Sequence, residues 1–310
     1  MTHAQLPLLR PLRPLLRLLP ALILAAGLSA CNSGPNEETL VDELRVLATL
    51  STTPEAQPGE RVDLEAFVVD PKGESYDVMS WVCTTTGEDC LEAAATGGGA
   101  WDGLRAEASP AQPWFSSSLQ VPPFFAEFVT EEPLPLIFHY TLACLPGRCA
   151  ALELALAEPA AGSPEAEQLA ALLADPTEMM TTLPMQGVSL ALRRLTVSTR
   201  APGERVDNPT FSVTTEGGAP LPAELTTGEE LGILFSMEGP RDEDAAVWLY
   251  TDKGGFRDPN AGLADPDEVP KVPYYAPDKA QELVNLWFIA VNGDGGVSFG
   301  SHALRVNEAE

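Results

Sequence analysis

Residues 59–69 read Gly59-Glu60-Arg61-Val62-Asp63-Leu64-Glu65-Ala66-Phe67-Val68-Val69. Val62, Leu64, Ala66 and Val68 alternate with Asp63, Glu65 and Phe67. A period of two is the mark of a strand with one face on a core and the other toward water. Asp70-Pro71-Lys72-Gly73 supplies turn chemistry where the run ends. Upstream, Leu44, Val46, Ala48 and Leu50 alternate with Arg45, Leu47 and Thr49, and residues 54–59 are again turn-forming. Downstream, Tyr76 to Val82 makes a third run, with Trp81 near its end. Three strands at this spacing, separated by turns, open an all-β sandwich.

The second half of the chain follows the same plan. Gly228-Glu229-Glu230-Leu231 leads into an apolar run through Ile233, Phe235 and Met237, as Gly59-Glu60-Arg61-Val62 leads into the earlier strand. A tryptophan follows each, Trp81 in one case and Trp248 in the other. The pattern around Pro58-Gly59-Glu60-Arg61-Val62 resembles the immunoglobulin-like (Ig-like) modules of bacterial surface proteins. That resemblance implies two tandem sandwiches, each with its tryptophan on the third strand packed into the core. Pro202-Gly203-Glu204-Arg205-Val206-Asp207 repeats Pro58 to Asp63 letter for letter. Asn208-Pro209 does not continue it as a strand, so the copy reads as a turn at the domain boundary.

Each half closes on a strongly β-prone run, Leu136 to Leu142 and Leu286 to Val291. The second meets Asn292-Gly293-Asp294-Gly295-Gly296, a hairpin turn signal, and returns through Val297 to Val306. In the first half the return is interrupted by an alanine- and leucine-rich insertion near 150–182. There Ser163 and Pro164 suit a helix start, and a helix over 164–174 puts Leu169, Leu172 and Leu173 on one face. A final strand is expected near Val188–Val197.

The N-terminal 30 residues are of another kind. Arg10, Arg13 and Arg17 precede a nearly all-apolar run from Leu18 to Ala30, with no acidic residue before Cys31. A bilayer-spanning helix needs ~20 apolar residues, so this run suits a signal peptide rather than a span. Leu28-Ser29-Ala30-Cys31 resembles a bacterial lipobox. The resemblance implies cleavage before Cys31, a diacylglyceryl group on its sulfur, and often an acyl chain on its new amino group. Two or three chains hold a protein to a bilayer where one does not. In that family an aspartate after the cysteine often means inner-membrane retention; Asn32 stands there instead, which favours the outer membrane.

Removing the leader's three arginines from 18 basic side chains leaves 15 against 45 acidic ones, a formal charge of −30. Such a field repels nucleic acid and anionic headgroups. Cys83, Cys90, Cys144 and Cys149 remain, an even number in an exported chain, and read as disulfides. Cys83–Cys90 and Cys144–Cys149 are the favoured pairs because each closes a short loop; zinc is the alternative, without Cys-x-x-Cys spacing to support it.

Motifs for catalysis are sparse. Gly296-Val297-Ser298-Phe299-Gly300 satisfies Gly-x-Ser-x-Gly, yet it sits on a hairpin arm rather than a strand–turn–helix elbow, with only His302 after it. His139 lies in an apolar run and reads as a structural histidine. Asp252, Asp258, Asn260, Asp265, Asp267 and Glu268 crowd one loop region, with Asn292 and Asp294 in the last hairpin. They are calcium candidates by oxygen chemistry alone, Asp258, Asn260, Asp265, Asp267 and Asp294 foremost, without a known calcium-loop spacing. Pro113-Trp114-Phe115, Pro122-Pro123-Phe124-Phe125 and Tyr274-Tyr275 read as proline-aromatic loops plugged into the core.

The expected organisation is a signal peptide (1–30), a tether (31–40), an Ig-like β-sandwich with the helical insertion (41–199) and a second sandwich (200–310). The expected function is a membrane-anchored cell-envelope module, not an enzyme. It has no cofactor beyond lipid on Cys31, and its partner is an envelope protein or glycan. A calcium-dependent adhesion or envelope-assembly subunit is the alternative, and a hydrolase with an unrecognised carboxylate site the third reading.

Overall fold

The computed structural model describes residues 35–83, 104–108, 111–129, 134–148, 187–239, 241–265 and 267–309. Its elements are strands and three short 3-10 turns, Glu37–Thr39, Pro123–Glu127 and Pro202–Glu204. The insertion near 150–182 and its helix lie outside the described residues.

The first half contributes β1 (Arg45–Ser51), β2 (Glu55–Ala56), β3 (Arg61–Val69), β4 (Tyr76–Cys83), β5 (Leu104–Ala108), β6 (Trp114–Gln120), β7 (Leu136–Cys144) and β8 (Val188–Val197). They form one sheet in the order β1-β3-β6 and another in the order β2-β8-β7-β4-β5. All pairings are antiparallel except β2 with β8, where Glu55 lies opposite Thr196 in a parallel register. In β3 the alternation is realised: Val62, Leu64, Ala66 and Val68 are buried while Arg61, Asp63 and Glu65 are exposed.

The second half contributes β9 (Thr210–Thr215), β10 (Glu224–Thr226), β11 (Glu230–Glu238), β12 (Ala246–Thr251), β13 (Gly255–Phe256), β14 (Asn260–Gly262), β15 (Lys271–Tyr275), β16 (Gln281–Val291) and β17 (Val297–Asn307). Their sheets run β13-β15-β11-β9 and β10-β17-β16-β12-β14. Apart from the added edge strand β13, this order repeats that of the first half: β10 joins β17 in parallel as β2 joins β8, and β11 sits where β3 does. Leu231, Ile233, Phe235 and Met237 fill its core with Leu249, Phe256 and Phe288. The 292–296 turn closes β16 onto β17, with Val291 opposite Val297 and positive φ at Gly293 and Gly295.

Sequence expectations change at four places: Trp248, the aromatic stretches, the tether and β1. Trp248 is in β12 but 40% exposed, because the inward positions of that strand are Val247 and Leu249. Trp81 lies in β4 opposite Tyr140, and its side chain is outside the described residues. The aromatic stretches Trp114-Phe115 and Tyr274-Tyr275 are strand residues of β6 and β15 rather than loop plugs. Third, the described part of the expected tether, residues 35–40, is folded. The Asn36 amide donates to the Phe256 carbonyl at 2.7 Å, the Phe256 amide to Thr39 Oγ1 at 3.1 Å, and the Val41 amide to the Thr251 carbonyl at 2.8 Å. Residues 36–41 thus strap onto the second half, although the chain then enters the first.

The fourth correction concerns β1. Its pairing with β3 slips between Val46 and Ala48, so Val46 faces Val68 while Ala48 faces Phe67. This bulge at Leu47 flips the faces of everything after it. Leu44 and Val46 enter the first core; Leu47, Ala48 and Leu50 turn outward, and Thr49 and Ser51 turn in. The outward residues meet Val41, Phe67, Trp287, Ile289 and Phe299 in a cluster shared by the two halves. Phe67 is its centre, 4.5 Å from Phe299, 4.8 Å from Trp114 and 6.3 Å from Trp287 between ring centroids. Aromatic pairs of this kind add about 0.5–1.5 kcal/mol each beyond their burial. Residues 35–310 accordingly form one compact unit.

Phe67→Ala is expected to destabilise the purified chain by about 3 kcal/mol in urea unfolding, as a large-to-small change at a packed site does. Phe124→Ala, at an exposed ring, should cost less than about 0.5 kcal/mol. Equal losses would refute the role given to Phe67.

Candidate functional site

Polar contacts gather along one side of the joint. Buried Glu55 accepts hydrogen bonds from the Ser198 hydroxyl, from the Val206 amide at 2.9 Å and from Arg200 Nη1 at 3.4 Å. Glu60 accepts from the Gln57 amide at 2.9 Å and from Arg205 Nη1 at 2.7 Å. The Pro202–Asp207 copy is therefore the clamped connection between halves, its Arg205 held by the glutamate of the original Pro58–Asp63 sequence. Asn208 comes next. Its Nδ2 donates to the Ser51 carbonyl at 2.7 Å and its Oδ1 accepts from the Val297 amide at 3.0 Å. One side chain so ties β1 to β17.

Beside Asn208 opens a groove of about 390 Å³ lined by Ser51, Asp63, Glu65, Ser298 and Phe299 among others. Its rim is acidic, but its central polar groups already have partners: the Ser298 hydroxyl donates to the Pro209 carbonyl and both ends of the Asn208 amide are engaged. The groove offers shape and negative charge, and no paired nucleophile and base.

Behind the groove lies a second polar group, inside the first half, between its two sheets. Ser80 of β4, His139 and Thr141 of β7, Arg193 of β8, and Thr49 and Ser51 of β1 are all buried. They form a layer between two apolar clusters, one around Ile137 and Leu195 and the other around Val78 and Ala143. His139 lies directly opposite Arg193. Its Nε2 is 2.8 Å from the Ser80 hydroxyl. Burial, reinforced by the Arg193 charge, lowers its pKa to about 4, so the ring is neutral at pH 7. Arg193 is lowered to about 10, chiefly by burial and then by Arg194, and it stays a cation. Its Nη2 donates to Ser51 Oγ at 2.9 Å and lies 3.5 Å from Asn208 Oδ1. Among the described residues, His139 Nδ1, Arg193 Nε, Thr49 Oγ1 and Thr141 Oγ1 have no hydrogen-bond partner. Sequence reasoning found His139 but missed the layer, since Thr49 and Ser51 enter it only through the bulge. Pairing the β7 and β8 runs in register would have set Arg193 beside His139.

Several of the calcium candidates have protein partners of their own. Asp252 accepts from the Asn285 amide and side chain, Asp258 lies 3.5 Å from Arg257 Nε, and Asp265 caps its own turn at the Asp267 amide. Asn260 sits in β14 opposite Trp248. Asn292 Oδ1 accepts from the Gly296 amide, which orders the hairpin containing Asp294. Among the described residues no three His, Cys, Asp or Glu side chains converge as a metal site. Ser298 and His302 lie within β17, and His302 Nε2 is 2.8 Å from the Pro222 carbonyl oxygen. The Gly-x-Ser-x-Gly string is thus a strand, not an elbow. Cys144 is disulfide-bonded; Cys31, Cys90 and Cys149 lie outside the described residues. Phe115 and Phe125 are core residues, Trp114 packs at the joint, and Phe124 is exposed and stacked on Phe125.

No protein-family model matches the chain, and no curated protein matches it. Among solved structures, Escherichia coli alpha-2-macroglobulin activated by porcine elastase aligns at 9% identity over 87% of this chain. The chain spans 22% of that protein's length, and the TM-score is 0.24, too slight an overlap to carry fold or function across.

The depressed pKa of His139 sets a pH dependence. Above pH 6.5 the ring is neutral in both folded and unfolded chains. As the pH falls from 6.5 to 4 the unfolded chain takes up a proton that the folded one refuses, and roughly 3 kcal/mol of stability is lost. The charged group facing the ring is Arg193. His139→Gln removes this dependence, so the stability difference between variant and wild type should move by about 3 kcal/mol in the variant's favour between pH 7.5 and pH 4. Urea titrations at both values measure it, and a difference that stays constant would contradict the assignment.

Proposed function

We propose that this chain is a lipid-anchored module of the bacterial cell envelope, a non-enzymatic binding or structural protein built from two Ig-like β-sandwiches. The observation that carries the reading is the lipobox-like Leu28-Ser29-Ala30-Cys31, which in sequence stands four residues before Pro35, where the compact unit begins. With Cys31 acylated, residues 31–34 reach at most about 14 Å. The body then stands directly over the bilayer.

The Ig-like reading is supported by strand order. In Ig sandwiches the first, second, fifth and fourth strands form one sheet and the third, sixth and seventh the other. The order β9-β11-β15-β13 fits the first of these and β12-β16-β17 the second, with β1-β3-β6 and β4-β7-β8 the counterparts in the other half. A role without catalysis agrees with a groove whose hydroxyl and amide are consumed by the joint. The acidic surface suits a partner with a cationic face, an envelope protein or a basic glycan.

Mass spectrometry of the mature protein tests the anchor. The expected result is an N-terminus at Cys31 carrying a diacylglyceryl mass, lost in Cys31→Ser, with the protein following the membrane fraction only in the wild type. An unmodified N-terminus at another residue would overturn the anchored reading. Turnover of a glycan or ester library by the purified chain would overturn the non-enzymatic one.

A further inference from the structure

The polar layer inside the first half poses a problem of charge. Arg193 is 3% exposed and makes no ion pair among the described residues; its hydrogen bonds go to a hydroxyl and an amide oxygen. The side chain it feels most is another cation, Arg194. Isolated charges are not left buried in proteins without a counter-charge or coordinated ion.

The four atoms of the layer without partners share a chemistry. Arg193 Nε–H can only donate. The Thr49 and Thr141 hydroxyls can rotate to donate. With the Ser80 hydroxyl donating to His139 Nε2, the ring's proton sits on Nδ1, which then donates as well. Donors arrive from three strands of two facing sheets: Thr49 from β1, His139 and Thr141 from β7, Arg193 from β8. A water molecule could take some of these hydrogen bonds but brings no charge. We propose that the layer is a binding site for one small monovalent inorganic anion of the chloride type, held by Arg193 Nε, His139 Nδ1 and the hydroxyls of Thr49 and Thr141.

The site communicates with the joint. Arg193 Nη2 reaches Ser51 and Asn208, and Asn208 holds the Val297 amide. An anion that fixes the guanidinium therefore fixes the group to which the two halves are tied. In a chain of net charge −27 the long-range field repels anions, so binding must come from these local contacts.

Melting temperature of the purified chain is the readout, with chloride replacing gluconate at constant ionic strength and pH 7.5. Raising chloride from about 1 mM to about 100 mM should raise the melting temperature by roughly 5 °C in the wild type. The rise should disappear in Arg193→Gln and shrink in Thr141→Val, which keeps the charge and volume and guards against a variant that fails to fold. Arg305→Gln, a surface change, should keep the full rise. A wild type that responds equally to chloride and gluconate, or a Thr141→Val chain that responds like wild type, overturns the proposal. Crystals soaked in bromide supply a second test: an anomalous peak beside Arg193 Nε supports the site, and a water there instead overturns it.

Discussion

The insertion of Leu47 into β1 governs what meets what in this molecule, because a strand's two faces are assigned by parity and one extra residue exchanges them. Before the bulge, Leu44 and Val46 belong to the first core. After it, Leu47, Ala48 and Leu50 look outward to the second half, and the inward places fall to Thr49 and Ser51. One backbone irregularity therefore makes both the apolar joint and the polar layer. Had β1 kept its register with β3, Ala48 and Leu50 would have turned into the core and the joint would have kept only Leu47 as an apolar residue of β1. Bulges recur where a strand must change its allegiance in this way.

The quoted run at 59–69 shows how far the chain could be read from its letters. The alternation of Val62, Leu64, Ala66 and Val68, the restart at Gly228, the hairpin at Asn292–Gly296 and the strand at Val188–Val197 are local patterns, and local patterns were legible. Phe67 was not. By parity it falls among Asp63 and Glu65 on the solvent side, and it is buried by Trp114, Trp287 and Phe299 at the joint. Trp248 is the converse case, a large aromatic on an outward position. Both follow from contacts between segments far apart in the chain, which composition and spacing do not encode. The site was harder still, because Thr49, Ser51, Arg193 and His139 converge through a register slip and the pairing of β7 with β8.

The two halves share a strand order, apart from the added edge strand β13, but not an interior. The second is a continuous apolar cluster around Phe235, Phe256 and Phe288. The first is divided, with apolar ends and a hydrogen-bonded middle, and its polar middle lies under the connection to its neighbour. A core interrupted in this way gives up apolar burial and gains directional contacts that favour one arrangement. Glu55 and Glu60 extend the same logic outward, since each carboxylate also holds the connecting segment, at the Val206 amide and at Arg205.

The strap at residues 36–41 has a mechanical consequence. The chain enters the body at Asn36, is hydrogen-bonded first to Phe256 and Thr251 of the second half, and only then passes into β1. A pull on the N-terminal end is therefore borne at the outset by the half that comes later in the sequence. The tension must peel those few backbone bonds before it reaches Arg45. The segment is a latch more than a leash.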